Sequence, residues 1–303
     1  MSSNNNNNNN EYINKIKLKP VPLLDGIEEI KNDFEERISQ GDTVYGVEIL
    51  DDYVETIRQG SITFILARPN CGKSLMAQRI AVNLAKQNRK VLICSCEMGA
   101  GLLMERQLLN LTGISTFKLK GLYENQRDTA NEIMDTLITD SSYDYLRLID
   151  ICETGGATCN DIMQMLDCFP EYDYIIIDYI QRIRGSGTEY ENITNASREF
   201  QTYARRTRKS LIVCSQAKRA DSNMSLKNKL ANQIENAGAA GKGSGSIEED
   251  GDVGLLLSEM NENDTRYILA TLFKNRYGTK NITYLYELDK RLNFKLANKN
   301  FIQ

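Results

Sequence analysis

The stretch ARPNCGKS, residues 67–74, decides the fold. It nearly spells the phosphate-binding loop G-x-x-x-x-G-K-[ST], with Ala67 where the first glycine belongs. A Gly-Lys-Ser triplet alone is weak, arising by chance in on the order of one chain in ten of this length. Its setting strengthens it. The apolar run SITFILA (61–67) reads as a buried strand, and KSLMAQRIAVNLAKQN (73–88) reads as an amphipathic helix. A strand that turns at once into a helix gathers backbone N–H groups and the positive end of the helix dipole at one point, which favours bound phosphate. In such a loop Lys73 reaches the β- and γ-phosphates and Ser74 ligates Mg²⁺. Arg68, Pro69, Asn70, Cys71, Gly72 and Leu75 complete the candidate nucleotide contacts. The plainer alternative is a helix N-terminus with an accidental lysine.

Strands and helices alternate outward from this loop. KVLICSCEM (90–98), YDYIIIDYI (172–180) and SLIVCSQA (210–217) read as further strands, with helices near 100–112 and over 197–209. GDVGLLLSEM, YILATLFKN and NITYLYELDK add strands toward the C-terminus. Near-continuous apolar strands between helices imply a mostly parallel sheet covered on both faces, an α/β fold. Ligands of such sheets bind at the carboxyl ends of the strands. Three polar residues fall there besides the loop. Asp178 ends an apolar run and is placed to hold Mg²⁺. Glu97, in CSCEM, is the leading candidate to orient and deprotonate an attacking water. Gln216, in VCSQ, has both donor and acceptor groups and so could sense a γ-phosphate. Each has a plainer reading as a strand-ending polar residue.

Composition narrows the chemistry. The 303 residues contain no histidine, so imidazole acid–base work and His-ligated metals are excluded and proton transfer falls mainly to carboxylates. Seven cysteines, without a C-x-x-C pair, sit mostly in apolar stretches and read as buried free thiols. Cys71, inside the loop, is the odd one; an inert small side chain is the plainer reading and an oxidation-sensitive thiol the alternative. A net charge of −4 argues against coating nucleic acid by bulk charge, so any such binding is local. No apolar run approaches membrane-spanning length and no signal peptide opens the chain, which predicts an intracellular, cytoplasmic protein without membrane contact. Asn4 to Asn10 form a low-complexity run expected to be disordered. DGIEEIKNDFEERISQG (25–41) predicts a helix with Asp25 and Glu28 as an N-cap box, an apolar stripe of Ile27, Ile30, Phe34 and Ile38, and Gly41 at its end. The stripe is compatible with packing on its own domain or with docking on another subunit.

Taken together, these motifs resemble the RecA-fold motor domain of DnaB-like replicative helicases, over about residues 25–295. ARPNCGKS fits that family's A-R-P-x-x-G-K-[ST] loop, Ala67 included. SCEM (95–98) resembles its strand bearing the catalytic glutamate, and IIIDYIQ (175–181) its I-D-Y-[LI]-Q signature. SQAKR (215–219), GSGSIEEDGDV (243–253) and KNRYG (274–278) are similar to its S-Q-x-x-R, S-G-S-I-E-Q-D-A-D and K-x-R-x-G segments. The resemblance implies a RecA-like P-loop ATPase core over 42–303, preceded by a linker helix (25–41) that docks on a neighbouring subunit and by a tail (1–24). It implies Mg²⁺ and ATP at Lys73, Ser74 and Asp178, with Glu97 as the base. It implies Arg276, with Lys274, as an arginine finger on ATP bound to the adjacent subunit, and a head-to-tail ring, a homo-hexamer. Glycine-rich 236–246 resembles the family's DNA-binding channel loop, making Lys242, Gly243, Ser244 and Gly245 candidate contacts to single-stranded DNA; Arg182 and Arg184 in 182–190 are a second candidate set. The plainer alternative for both is a flexible surface connection.

The chain departs from the family in having about two dozen residues before the linker helix where a large helical domain is usual. Primase recruitment through such a domain is therefore not expected, and a helicase loader and a separate primase are the implied partners. A compact motor of this kind fits a phage-encoded protein. The expected function is an ATP-driven helicase that translocates on single-stranded DNA and unwinds duplex. The alternatives are a DNA-stimulated ATPase without unwinding, such as a recombinase or packaging motor, and a ring subunit that binds ATP without turnover.

Overall fold

The apolar runs form the middle of one sheet because their side chains are covered on both faces. The computed structural model describes residues 22–151, 156–217, 244–262 and 264–302. The asparagine run, Cys152 and the candidate contacts Lys242 and Gly243 lie outside the described residues.

The elements, in chain order, begin with helix α1 (Asp25–Gln40), helix α2 (Glu48–Tyr53), strand β1 (Ile62–Ala67) and helix α3 (Lys73–Lys86). Strand β2 (Val91–Ser95) leads to three helices, α4 (Ala100–Thr112), α5 (Thr116–Asn125) and α6 (Arg127–Ile138). Then come β3 (Leu146–Asp150), α7 (Cys159–Asp167), β4 (Tyr174–Asp178), α8 (Glu189–Thr207) and β5 (Ser210–Gln216). The chain closes with α9 (Ser244–Asp250), β6 (Val253–Glu262), β7 (Thr265–Asn275), β8 (Ile282–Leu288) and β9 (Phe294–Ile302). The order across the sheet is β3-β2-β4-β5-β1-β6-β7-β8-β9. The pairings from β3 to β6 are parallel and those from β6 to β9 antiparallel. This is the mostly parallel α/β sheet expected, and every apolar run read as a strand forms one.

Alternation along β1 divides the core. Ile62, Phe64 and Leu66 join the cluster containing Ile162, Phe200 and Tyr203 of α7 and α8. Ile65 and Ala67 join the opposite cluster with Met76, Ile80 and Leu84 of α3. Fully burying a large apolar side chain contributes roughly 1.5–3 kcal/mol, so a Phe64→Ala cavity at the centre of the sheet would cost on the order of 3–5 kcal/mol. Between α8 and β5, Lys209 is buried rather than solvated, its ammonium donating to the carbonyls of Phe169, Pro170 and Tyr172. That burial pulls its pKa down.

Helix α1 belongs to a separate unit, residues 1–43. It ends at Gly41, whose φ of 76° is the left-handed value glycine tolerates. Its start corrects the sequence reading. Asp25 is already helical, the preceding residue is Leu24, and no side-chain cap bond forms. Ile27, Ile30, Phe34 and Ile38 are all exposed. Among the described residues no helix is long and apolar enough to cross a membrane.

Candidate functional site: a cleft at the strand ends

Residues 68–72 turn the chain out of β1 and into α3. Gly72 immediately precedes α3 with φ 82°, and a Cβ there would meet the Phe294 ring at 3.1 Å. Both the backbone conformation and the close ring select glycine at that position. Asn70 also has positive φ, 66°, which an asparagine adopts more readily than most residues. The resulting loop lines a cleft of about 640 Å³ together with Lys73, Ser74, Leu75, Glu97, Tyr179 and Gln216. The absent first glycine leaves this intact, since Ala67 is the last strand residue, paired with Gln216 on one side and Leu257 on the other.

Register brings the other functional side chains to the same rim. Asp178 ends β4 opposite Ser95 of β2, and the Cys96 N–H donates to the Asp178 carbonyl at 2.8 Å. Lys73 Nζ lies 3.3 Å from Asp178 Oδ1 and 3.6 Å from the centre of the Tyr179 ring. Asp178 Oδ1 is buried and has no hydrogen-bond partner; the lysine contact is an ion pair outside hydrogen-bond geometry. A buried carboxylate oxygen held by charge alone is what a cation would relieve. Burial, and then the Asp178 carboxylate, hold the neighbouring Cys214 thiol well above its usual pKa. Cys214 is therefore a neutral neighbour of the acid. The residues present thus fit a divalent metal held between Ser74 and Asp178.

Glu97 stands two residues past the end of β2, exposed into the cleft, and Ser95 Oγ accepts the Met98 N–H at 3.1 Å to fix the turn. Gln216 ends β5. Its backbone N–H donates to Gln181 Oε1 at 3.0 Å, and Gln181 Nε2 returns to Ser215 Oγ at 2.9 Å and the Gln216 carbonyl at 3.2 Å. Gln181 therefore clamps the ends of β4 and β5 together, a role not assigned from the sequence. Nor was one assigned to Arg266 on β7. It donates to the Asn70 carbonyl and to Glu259 Oε2 at 3.1 Å, bringing a second cation to the loop. Only the β6–β7 hairpin brings it there, and a lone arginine on an alternating strand carries no local signal. Arg106 and Leu292 line the same cleft. Cys71 is buried, and burial raises its pKa, so the inert reading of that thiol is the one its surroundings favour.

Lys274 and Arg276 do not join this cleft. Gly254 at the start of β6 pairs with Lys274, while Thr63 pairs with Val253. The pair therefore sits at the amino edge of the parallel strands, roughly 17 Å from the loop by the rise along β1. Arg276 Nη1 holds Asp252 Oδ1 at 2.9 Å. Lys274 Nζ donates to the carbonyls of Glu248 and Glu249, and burial, then the Arg276 charge, lower its pKa.

The candidate DNA contacts are partly described. Arg182 and Arg184 are exposed just past β4, on the rim of the nucleotide cleft. Arg182 Nε donates to the Tyr179 hydroxyl at 3.1 Å, so Tyr179 touches both Arg182 and Lys73. Ser244 and Gly245 open α9.

Comparison with known proteins places this geometry. Residues 44–295 match the family described as DnaB-like helicase C terminal domain. A probable plasmid replicative DNA helicase of Chlamydia trachomatis serovar L2 is 31% identical over 242 residues, covering 77% of this chain and 50% of its own length. The replicative DNA helicase DnaC of Bacillus subtilis is 27% identical over 296 residues, covering 91% of this chain and 61% of its own. The chain thus spans about half the length of the curated relatives it matches. Among solved structures, a helicase ATPase domain superposes with a TM-score of 0.72 at 20% identity, covering 92% of this chain and 100% of that one. A DnaB-like replicative helicase, described with its interactions with primase, superposes with a TM-score of 0.67 at 20% identity, covering 91% and 67%.

Proposed function

The chain belongs to the DnaB-like helicase C-terminal domain family, and on that footing we propose that it is the ATP-hydrolysing motor of a replicative DNA helicase. The carrying observation is a division of the machinery. Lys73, Ser74, Glu97, Asp178 and Gln216 converge at the carboxyl edge of the sheet, while Lys274 and Arg276 stand at the amino edge. Cations so placed cannot serve their own cleft. They suit the cleft of a second copy packed head to tail, and such heterologous contacts close into rings. The proposed ring is a hexamer.

In this mechanism the N–H groups of the loop and the start of α3 cradle the phosphates of ATP, and Lys73 exchanges its contact with Asp178 for the β- and γ-phosphates. Mg²⁺, held by Ser74 and Asp178, would neutralise charge on the phosphate oxygens. Glu97, exposed in the cleft, orients the attacking water and accepts its proton. Arg276 and Lys274 of the adjacent copy stabilise the charge that develops on the transferred phosphoryl group. Gln216, locked to β4 through Gln181, senses the γ-phosphate.

Single-stranded DNA is the proposed track. Arg182 and Arg184, with the 236–246 segment, contact its phosphates without reading bases. Few charges per copy suffice when several copies hold one strand, because effective concentration multiplies weak contacts. The exposed apolar stripe of α1 is proposed to dock on the neighbouring copy. A loader and a separate primase complete the proposed partners, and the site of action is the cytoplasm. A forked DNA substrate tests the function: strand separation should require hydrolysable ATP and vanish in Lys73→Ala. DNA-stimulated hydrolysis without strand separation would favour the translocase or packaging reading instead.

A further inference from the structure

We propose that Asp252 is the positioning residue for Arg276, and that it ties the cation offered to the neighbouring copy to the strand carrying this chain's own phosphate loop. The proposal rests on the shared-site reading above. Asp252 immediately precedes β6, and its side chain is 4% exposed. Its two carboxylate oxygens face different partners. Oδ1 holds Arg276 Nη1 at 2.9 Å, and Oδ2 accepts the Ile62 N–H at 3.0 Å. The main chain repeats both links. The Asp252 N–H donates to the Ile62 carbonyl at 2.9 Å, and the Arg276 N–H donates to the Asp252 carbonyl at 2.8 Å. Ile62 is the first residue of β1, and the phosphate loop leaves the same strand after Ala67.

The surroundings explain why the tether is firm. The register of β6 and β7 shifts between Gly254 and Leu255, leaving Phe273 as the extra residue of a bulge on the Arg276 strand. A Cβ on Gly254 would run into the Phe273 ring, so glycine lets that ring seat and the bulge is set by packing. Bulges re-aim the residues that follow them. The next residues are Lys274, Asn275 and Arg276. The Arg276 side chain is still 44% exposed, so one end of the guanidinium is anchored while the rest faces outward. An arginine head left loose samples many rotamers, and a misplacement of about 1 Å in a positioning group can cost on the order of a hundredfold in rate. Only a carboxylate serves both partners. In Asp252→Asn the oxygen can still accept from Ile62, but the amide then presents N–H groups to the guanidinium, donor against donor.

Mixed assemblies test this. One copy carries Arg276→Ala and supplies a sound cleft; the other carries Lys73→Ala and supplies a sound finger. The control mixture should recover DNA-stimulated ATPase. Asp252→Asn is then added to one partner at a time. Added to the finger-supplying copy, it should lower the recovered kcat by about tenfold or more, with KM for ATP within about twofold. Added to the cleft-supplying copy, which has no finger to position, it should leave the recovered rate within about twofold, which also shows that the variant folds. Equal losses in both arms, or no loss in the finger arm, would overturn the proposal while the control recovery upholds the shared site. A control mixture that never recovers would overturn the shared site and this proposal with it.

Discussion

Lys73 and Asp178 form a buried ion pair, Nζ to Oδ1 at 3.3 Å, between the first residue of the loop helix and the last residue of β4. The pair neutralises two charges that the cleft would otherwise bury alone, which costs several kcal/mol per ion in a low-dielectric site. It also keeps the lysine beside the place where phosphate enters. Asp178→Asn removes that partner and the proposed metal ligand. ATP hydrolysis should fall by about a hundredfold or more, and any remaining rate should need at least roughly tenfold more Mg²⁺ for half-activation. The check is ATPase rate across a Mg²⁺ titration; an unshifted midpoint would remove Asp178 from the metal site.

Glu97→Gln keeps the size and the exposed position in the cleft but cannot take a proton. Turnover should drop by roughly 10²–10⁴-fold, while binding of a fluorescent ATP analogue stays within a few-fold of the parent. Undiminished hydrolysis would mean that another carboxylate is the base.

Arg266 donates to the Asn70 carbonyl and so holds the loop from the β6–β7 hairpin. Arg266→Ala removes a charged hydrogen bond of about 1.5–3 kcal/mol. KM for ATP should rise by roughly tenfold with a smaller change in kcat, and Arg266→Lys should recover part of the loss. Steady-state kinetics decide it. A fall in kcat alone would assign Arg266 to the chemical step.

Asp51 gives the fold a pH signature. Burial pushes its carboxyl up to about 6, against the Tyr45, Val47 and Gly46 N–H groups that pull it down. The folded state therefore holds this proton over a range where the unfolded chain has lost it. The stabilising contribution is complete below the ordinary carboxylate range and is lost as pH rises through about 6. Asp51→Asn cannot titrate. Its Tm minus the parental Tm should increase from about pH 4 to about pH 7 by thermal denaturation; a flat difference would show that Asp51 titrates normally.

These expectations rest on residues that differ in how legible they are. The cleft is readable because Ala67, Ser95, Asp178 and Gln216 each end an apolar run, and parallel strands put such ends on one rim. Strands β3 and β9 are not readable in the same way. The side chains of β3 are mostly half-buried, so its apolar signal is diluted. The polar Lys295, Asn298 and Lys299 do the same for β9. Helix α8 begins at Glu189, eight residues before the expected start, because Thr188 and Glu191 form a capping box. The same signature at Thr158 and Asp161 opens α7. Asp25 has the residue type of a cap without its geometry. Arg276 and Asp252 are far apart in sequence, and only the β6–β7 pairing brings them together.

The most direct test of the central claim is the mixture of Lys73→Ala with Arg276→Ala copies, each inactive alone. If one copy's cleft is completed by the next copy's arginine, ATPase should appear on mixing and peak at intermediate ratios. Rates that stay at the level of the separate variants at every ratio, in assemblies shown by light scattering to contain both, would contradict a site shared between copies.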